Sequence, residues 1–118
     1  MRAVRGATCL ERDDAALMSE AVGELLTEIL SRNGFTTDQI ISVILSSTPD
    51  LHSAFPAAAA RTLGWGDIPL MCAQEIDVTG ALQRVVRVMV HVDTDMARAD
   101  IKHVYLRGAE VLRQDIAQ

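Results

Sequence analysis

The segment 84–93 constrains this chain more than any other. Its side chains divide into two sets by alternation. Val86, Val88, Val90 and Val92 fall on one face, and Val85, Arg87, Met89 and His91 on the other. A sustained period of two marks an extended strand, because a helix would scatter the valines around its axis. The valine face is core and needs a second layer over it. The opposite face carries a guanidinium between apolar neighbours. An arginine so placed either lies on a solvent-facing surface with its stem laid down or is held by a partner, and the strand alone leaves both open.

The rest of the chain supplies that second layer. Residues 2–9 alternate imperfectly and predict a short strand, interrupted at Arg5-Gly6; a glycine inside a strand often marks a bulge or a close approach. Asp13 or Asp14 caps a helix over 14–33 whose apolar stripe runs through Leu17, Ala21, Val22, Leu25, Leu26 and Ile29. Glu20, Glu24 and Glu28 take its other face, Glu28 in reach of Arg32, and Asn33-Gly34 ends it. Residues 36–38 read as a turn. Residues 40–47 are apolar on both faces, as in a central strand. A short helix follows over 56–63 with Pro56 in its first turn, then a strand over 68–75. Beyond the valine strand, 94–102 is irregular or a single turn, 103–106 a last strand and 108–113 a terminal turn or helix. The order β-α-β-α-β-β-β predicts an α+β fold: one mixed sheet with helices on one face.

Composition narrows the function classes. At 118 residues the chain is expected to form one domain, spanning 1–118. A net charge of −5 and 3% aromatic residues argue against nucleic acid as a partner, since there is neither a basic surface nor a stacking platform. No apolar run approaches the ~20 residues of a membrane span, so no membrane partner is expected. The N-terminus is charged from Arg2 and has no apolar signal core, so a cytoplasmic location is expected. Cys9 and Cys72 have no CxxC partners and read as reduced thiols, and His52, His91 and His103 lack metal-ligand spacing. No metal or cofactor is expected. Ten of the 11 basic residues are Arg, which a GC-rich coding bias explains in the main, while leaving room for guanidinium sites that Lys would serve badly. A chain this short has little interior for a closed ligand pocket, so the walls of one would have to come in part from another subunit.

Eight segments in order then fit one family. They are Arg5-Gly6-Ala7-Thr8, Ser47-Thr48-Pro49-Asp50-Leu51-His52, Phe55-Pro56-Ala57, Arg61, Cys72-Ala73-Gln74-Glu75, Asp77-Val78-Thr79-Gly80, Arg87-Val88-Met89 and His103-Val104-Tyr105-Leu106. Together they resemble the monofunctional AroH-class, Bacillus-type chorismate mutases, over Arg2 to about Asp115. The resemblance implies a homotrimer with a pseudo-α/β-barrel core, and active sites in clefts between subunits. It implies the rearrangement of chorismate to prephenate, on the route to aromatic amino acids. That reaction is a unimolecular pericyclic shift and needs no nucleophile, metal or cofactor.

The resemblance also implies roles. Arg87 would be the cation at the ether oxygen, where negative charge builds as the C–O bond breaks. Arg5 would clamp a substrate carboxylate, beside a glycine that keeps the backbone clear, and Tyr105 would make a second carboxylate contact. Glu75 would accept from the ring hydroxyl, with Cys72 a further polar contact beside it. Phe55 and Ala57 match pocket walls, and Arg61, Leu112 and Arg113 match positions around the mouth. Met71 stands where many relatives carry Thr, and Ala58 where they carry Lys, which bears on the charge at the entrance. Outside the family, Glu75 would be a solvated carboxylate, Cys72 a small buried hydrophobe and Tyr105 a half-exposed strand residue. Two other functions fit less of the sequence: a trimeric imine deaminase of the RidA type, and a binding module that keeps the pocket without turnover.

Overall fold

The computed structural model describes residues 1–113, so the last part of the span of resemblance, 114–115, lies outside the described residues. Its elements are β1 (Arg2–Cys9), α1 (Ala15–Asn33), β2 (Ile40–Ser47), α2 (Pro56–Thr62), β3 (Leu70–Gln74), β4 (Val85–Val92) and β5 (Val104–Leu106). Short 3₁₀ turns occupy Thr37–Gln39, Arg98–Asp100 and Ala109–Leu112. The strands form one mixed sheet in the order β3-β2-β4-β1-β5. The valine strand β4 is its centre, antiparallel to β1 on one side and to β2 on the other. The two outer pairs, β2–β3 and β1–β5, are parallel. The fold is α+β with both helices on one face, as the element order predicts.

That face holds the main core. Val86, Val88, Val90 and Val92 of β4 meet Met18, Ala21, Val22, Leu25, Leu26 and Ile29 of α1 in one buried cluster. Each fully buried aliphatic side chain there contributes about 1.5–3 kcal/mol relative to exposure. Met18, not Leu17, occupies the first buried position of the α1 stripe; Leu17 only packs against its edge. Asp14 caps α1 by accepting from the Leu17 N–H at 3.0 Å. Asp13 instead accepts from the N–H groups of His52 and Ser53 and ties the 52–53 loop to the helix start. At the other end Gly34 adopts φ 68°, and the Phe35 N–H reaches back to the Leu30 carbonyl at 3.0 Å.

Strand β2 departs from expectation. It sits inside the sheet, yet only Ile40, Val43 and Leu45 are buried, while Ile41 and Ile44 are 44% and 43% exposed. The second apolar face of the sequence is therefore real, but nothing among the described residues covers it. The predicted strand at 68–75 begins only at Leu70, because Ile68 still donates its N–H back to the Trp65 carbonyl in a turn.

Two local devices fix where β1 and β4 run. Gly6 pairs with Val88 with no bulge. A Cβ at Gly6 would lie 2.9 Å from Ile29 Cδ1, 3.1 Å from Leu25 Cδ1 and 3.1 Å from the Val104 carbonyl oxygen. The glycine thus lets α1 pack down on β1; it does not clear space on the face where Arg5 points. The start of β4 is held by the turn after β2. Thr48 accepts the Val85 N–H through its hydroxyl and donates its own N–H to the Val85 carbonyl, each at 3.0 Å. Asp50 accepts the N–H of Arg84, which is strained to φ 54°, at 3.0 Å.

Substituting Gly6→Ala is expected to destabilise the fold by about 1–3 kcal/mol, the usual cost of overpacking. Urea unfolding checks this, and a variant as stable as the parent would contradict the close helix–strand approach.

Candidate active site

Arg87 emerges at the middle of the uncovered face. Its register partners on that face are Ala7 of β1 and Ser46 of β2. Both are small, so the long side chain has room to lie across the sheet. It is not left to solvent alone. Its Nε stands 3.2 Å from Oε1 of Glu75, and the other carboxylate oxygen of Glu75, Oε2, accepts a hydrogen bond from the Ser46 hydroxyl. Glu75 lies one residue beyond β3, anchored by its N–H to the Ser47 carbonyl at 2.9 Å. Of the two readings open for Arg87, the paired one holds.

Arg5 projects on the same face, one register position along, opposite Met89. Arg5, Ser46, Arg87, Met89 and Tyr105 line one cleft of about 220 Å³. A second cleft of about 300 Å³ lies on the far side of the ion pair, lined by Thr48, Glu75, Arg87 and Leu112 among others. Tyr105 is 4% exposed and packs with Ala7, Val85 and Ala109, Leu112 closing against them. Tyr105 is thus more buried than a half-exposed strand residue. Leu112 walls the cleft from the 3₁₀ turn after β5.

The remaining candidates lie elsewhere. Cys72 pairs with Leu45 and so points to the helical face, opposite Arg87. Its thiol is not beside the Glu75 carboxylate, because the ladder continues to the Glu75 N–H and a separation of three along extended backbone sends the two side chains to opposite faces. Cys72 and Phe55 instead line a third cleft of about 510 Å³, with Pro56, Thr48 and Gln74. Phe55 is 72% exposed, an unusual state for an aromatic side chain. Ala57 is 5% exposed within the helical-side core, so its side chain packs α2 and is no pocket wall. Met71 lies on the open face beside Ile44 and is 65% exposed. Arg61 is exposed on α2, and Arg113 is half-buried next to the site's edge near His103. The chain alone therefore gathers Arg5, Glu75, Arg87, Tyr105 and Leu112, and holds Phe55, Cys72, Arg61 and Met71 apart.

Two residues in the assembly are absent from the sequence argument as site residues. Ser46 needed the β2–β4 register to be found opposite Arg87. His103 accepts the Arg5 N–H on Nδ1 at 3.0 Å, standing in for a ladder bond just before β5 begins. Accepting there places the ring proton on Nε2. Burial, then the guanidinium groups of Arg5 and Arg113, hold the pKa of His103 below its ordinary value. Among the described residues no group of three or more His, Cys, Asp or Glu side chains is placed to hold a metal ion. Among the described residues no helix is long and apolar enough to cross a membrane.

Residues 1–116 match the family model for chorismate mutase type I. The chain belongs to the type I chorismate mutase family. It is 43% identical to the chorismate mutase AroH of Bacillus subtilis over 118 residues, covering 99% of this chain and 93% of that one. It is 42% identical to the chorismate mutase AroH of Thermus thermophilus, covering 98% and 96%. A solved chorismate mutase from Clostridium thermocellum superposes with a TM-score of 0.92 at 49% identity, covering 94% of this chain and 99% of that one. The match displaces the imine-deaminase alternative.

Because His103 resists protonation in the folded chain, it contributes stability above the unfolded value of 6.5 that is lost as pH falls through its lower folded pKa. Stability is therefore expected to fall between about pH 7.5 and pH 5.5, and less so in His103→Asn, whose amide oxygen can accept the same N–H. An equal loss of unfolding free energy between the two pH values in both proteins, read from denaturant titrations, would contradict this role.

Proposed function

We propose that this chain is a chorismate mutase that works as a homotrimer in the cytoplasm, with each active site completed by two subunits. The observation that carries the reading is the Arg87–Glu75 pair, whose Arg87 lines one cleft with Arg5 and Tyr105 on the sheet face that neither α1 nor α2 covers.

Chorismate is a dicarboxylate that must be held in a compact conformer with its reacting carbons close. Arg5 takes one carboxylate, with Tyr105 a second contact through its hydroxyl. Glu75 accepts from the ring hydroxyl. As the ether C–O bond breaks ahead of C–C bond formation, negative charge grows on the ether oxygen. Arg87, already fixed in place, meets that charge without reorganising, so it stabilises the transition state more than the ground state. The step transfers no proton and forms no covalent enzyme intermediate. Turnover then rests on fixed charge and shape.

The shared-site part of the reading rests on distance and exposure. Phe55, Met71 and Ile76 are 72%, 65% and 85% exposed, and Ile44 and Met89 are open on the same side as Arg87. Such apolar groups on a small chain are the usual mark of a subunit interface. A neighbour that buried them would bring its own Phe55 and Arg61 toward Arg5, Glu75 and Arg87. Ala58 leaves that mouth with one cation fewer than a lysine would give, an effect on substrate capture rather than on the step itself.

Purified protein is expected to consume chorismate, followed by the loss of its ultraviolet absorbance, and to elute as a trimer. Arg87→Ala should lower kcat by at least ~10²–10³-fold, the usual cost of removing one fixed donor at a developing oxyanion. Arg87→Lys should also be poor, since a flexible point charge replaces a planar fork. Unchanged absorbance with the parent protein would overturn the assignment. The shared site has its own test. Arg87→Ala and Phe55→Asp subunits, each inactive alone, should regain activity when co-expressed, because some interfaces then combine an intact Arg87 with an intact Phe55. Mixed trimers without activity would contradict a site built from two chains.

A further inference from the structure

We propose that Ser46 is a positioning residue for this reaction, keeping Glu75 from chelating Arg87 with both carboxylate oxygens. The proposal rests on the chorismate mutase reading and concerns how the ether-oxygen cation stays available to its ligand.

The geometry is a chain of three side chains on the open face. Ser46 and Arg87 are register partners across β2 and β4. Glu75 bridges them: Oε2 accepts from the Ser46 hydroxyl, and Oε1 faces Arg87 Nε at 3.2 Å. Carboxylate and guanidinium left to themselves favour the bidentate fork, with two parallel N–H···O bonds. A fork here would tie up a whole edge of the Arg87 guanidinium and turn it toward Glu75. The Ser46 hydroxyl prevents this by holding one oxygen on its own side of the sheet. Its placement is rigid, because Ser46 lies within β2 and the neighbouring Ser47 carbonyl holds the Glu75 N–H at 2.9 Å. Ser46 also lines the Arg5–Arg87–Tyr105 cleft. Its own contact with substrate is not needed for the effect.

The test is a KM-against-kcat comparison of Ser46→Ala and Ser46→Thr in the intact trimer. Ser46→Ala frees Oε2, and kcat is expected to fall about 10- to 100-fold, the scale of a misplaced catalytic group, with KM and melting temperature nearly unchanged. Ser46→Thr keeps the hydroxyl and should recover most of the rate. In a Glu75→Gln background, where no carboxylate can fork, Ser46→Ala should cost little more, so the two substitutions should be strongly non-additive. A Ser46→Ala enzyme with parental kcat overturns the proposal. So does an equal loss in both serine variants accompanied by a lower melting temperature, which would assign Ser46 to packing. A parent protein without any chorismate turnover is a different failure: it removes the reaction itself, whatever Ser46 does.

Discussion

A guanidinium planted in the middle of the central strand is the constraint around which this molecule is arranged. The face of β4 that holds the valines can be satisfied within the chain, and α1 and α2 satisfy it. The face that holds Arg87 cannot be covered by another helix without stranding a cation in the core, at a cost of several kcal/mol. Around Arg87 it is left open, with only its Val85 end closed by Ala109 and Leu112, and the groups that neutralise and orient Arg87 are drawn from β2 and from the end of β3. The charge thus decides which side of the sheet becomes the site.

The same arrangement explains why the site is half-built. Ile44 and Met89 flank Arg87 on the open face, and both are more than a third exposed. The 220 and 300 Å³ clefts on either side of the Arg87–Glu75 pair are small against the size of ordinary ligand pockets. Phe55 and Cys72 sit round the edge of the sheet in a cleft of their own. A second chain that buried the apolar open face would both remove this exposure and close a pocket, so stability and catalysis would draw on one interface.

Much of this was legible in the sequence for a simple reason: alternation and capping are local. Strands 2–9 and 40–47 and the terminus of α1 at Asn33-Gly34 stand where periodicity and turn chemistry put them. What needs the fold involves neighbours distant in sequence. The close approach that Gly6 predicts is that of Leu25 and Ile29 of α1. Cys72 looked like a companion of Glu75, but pairing with Leu45 turns it to the other face. Ala57 matched a wall position, yet the helix turns its methyl group inward to the core. Tyr105 gave no hint of its depth, which comes from Ala7, Val85 and Ala109 closing on it.

By itself the sequence determined the elements, the valine core face and the lone cation opposite it, because each is written in spacings of two to four residues. Its run of family motifs also carried the chemistry that such a cation serves. Only the tertiary structure decided which side chains share a face and which merely share a segment. Strand pairing set that, placing Ser46 against Arg87 and Cys72 away from it. Register is fixed by hydrogen bonds between residues tens of positions apart, and by which face finds a hydrophobic cover. No local pattern in the chain encodes those distant pairings.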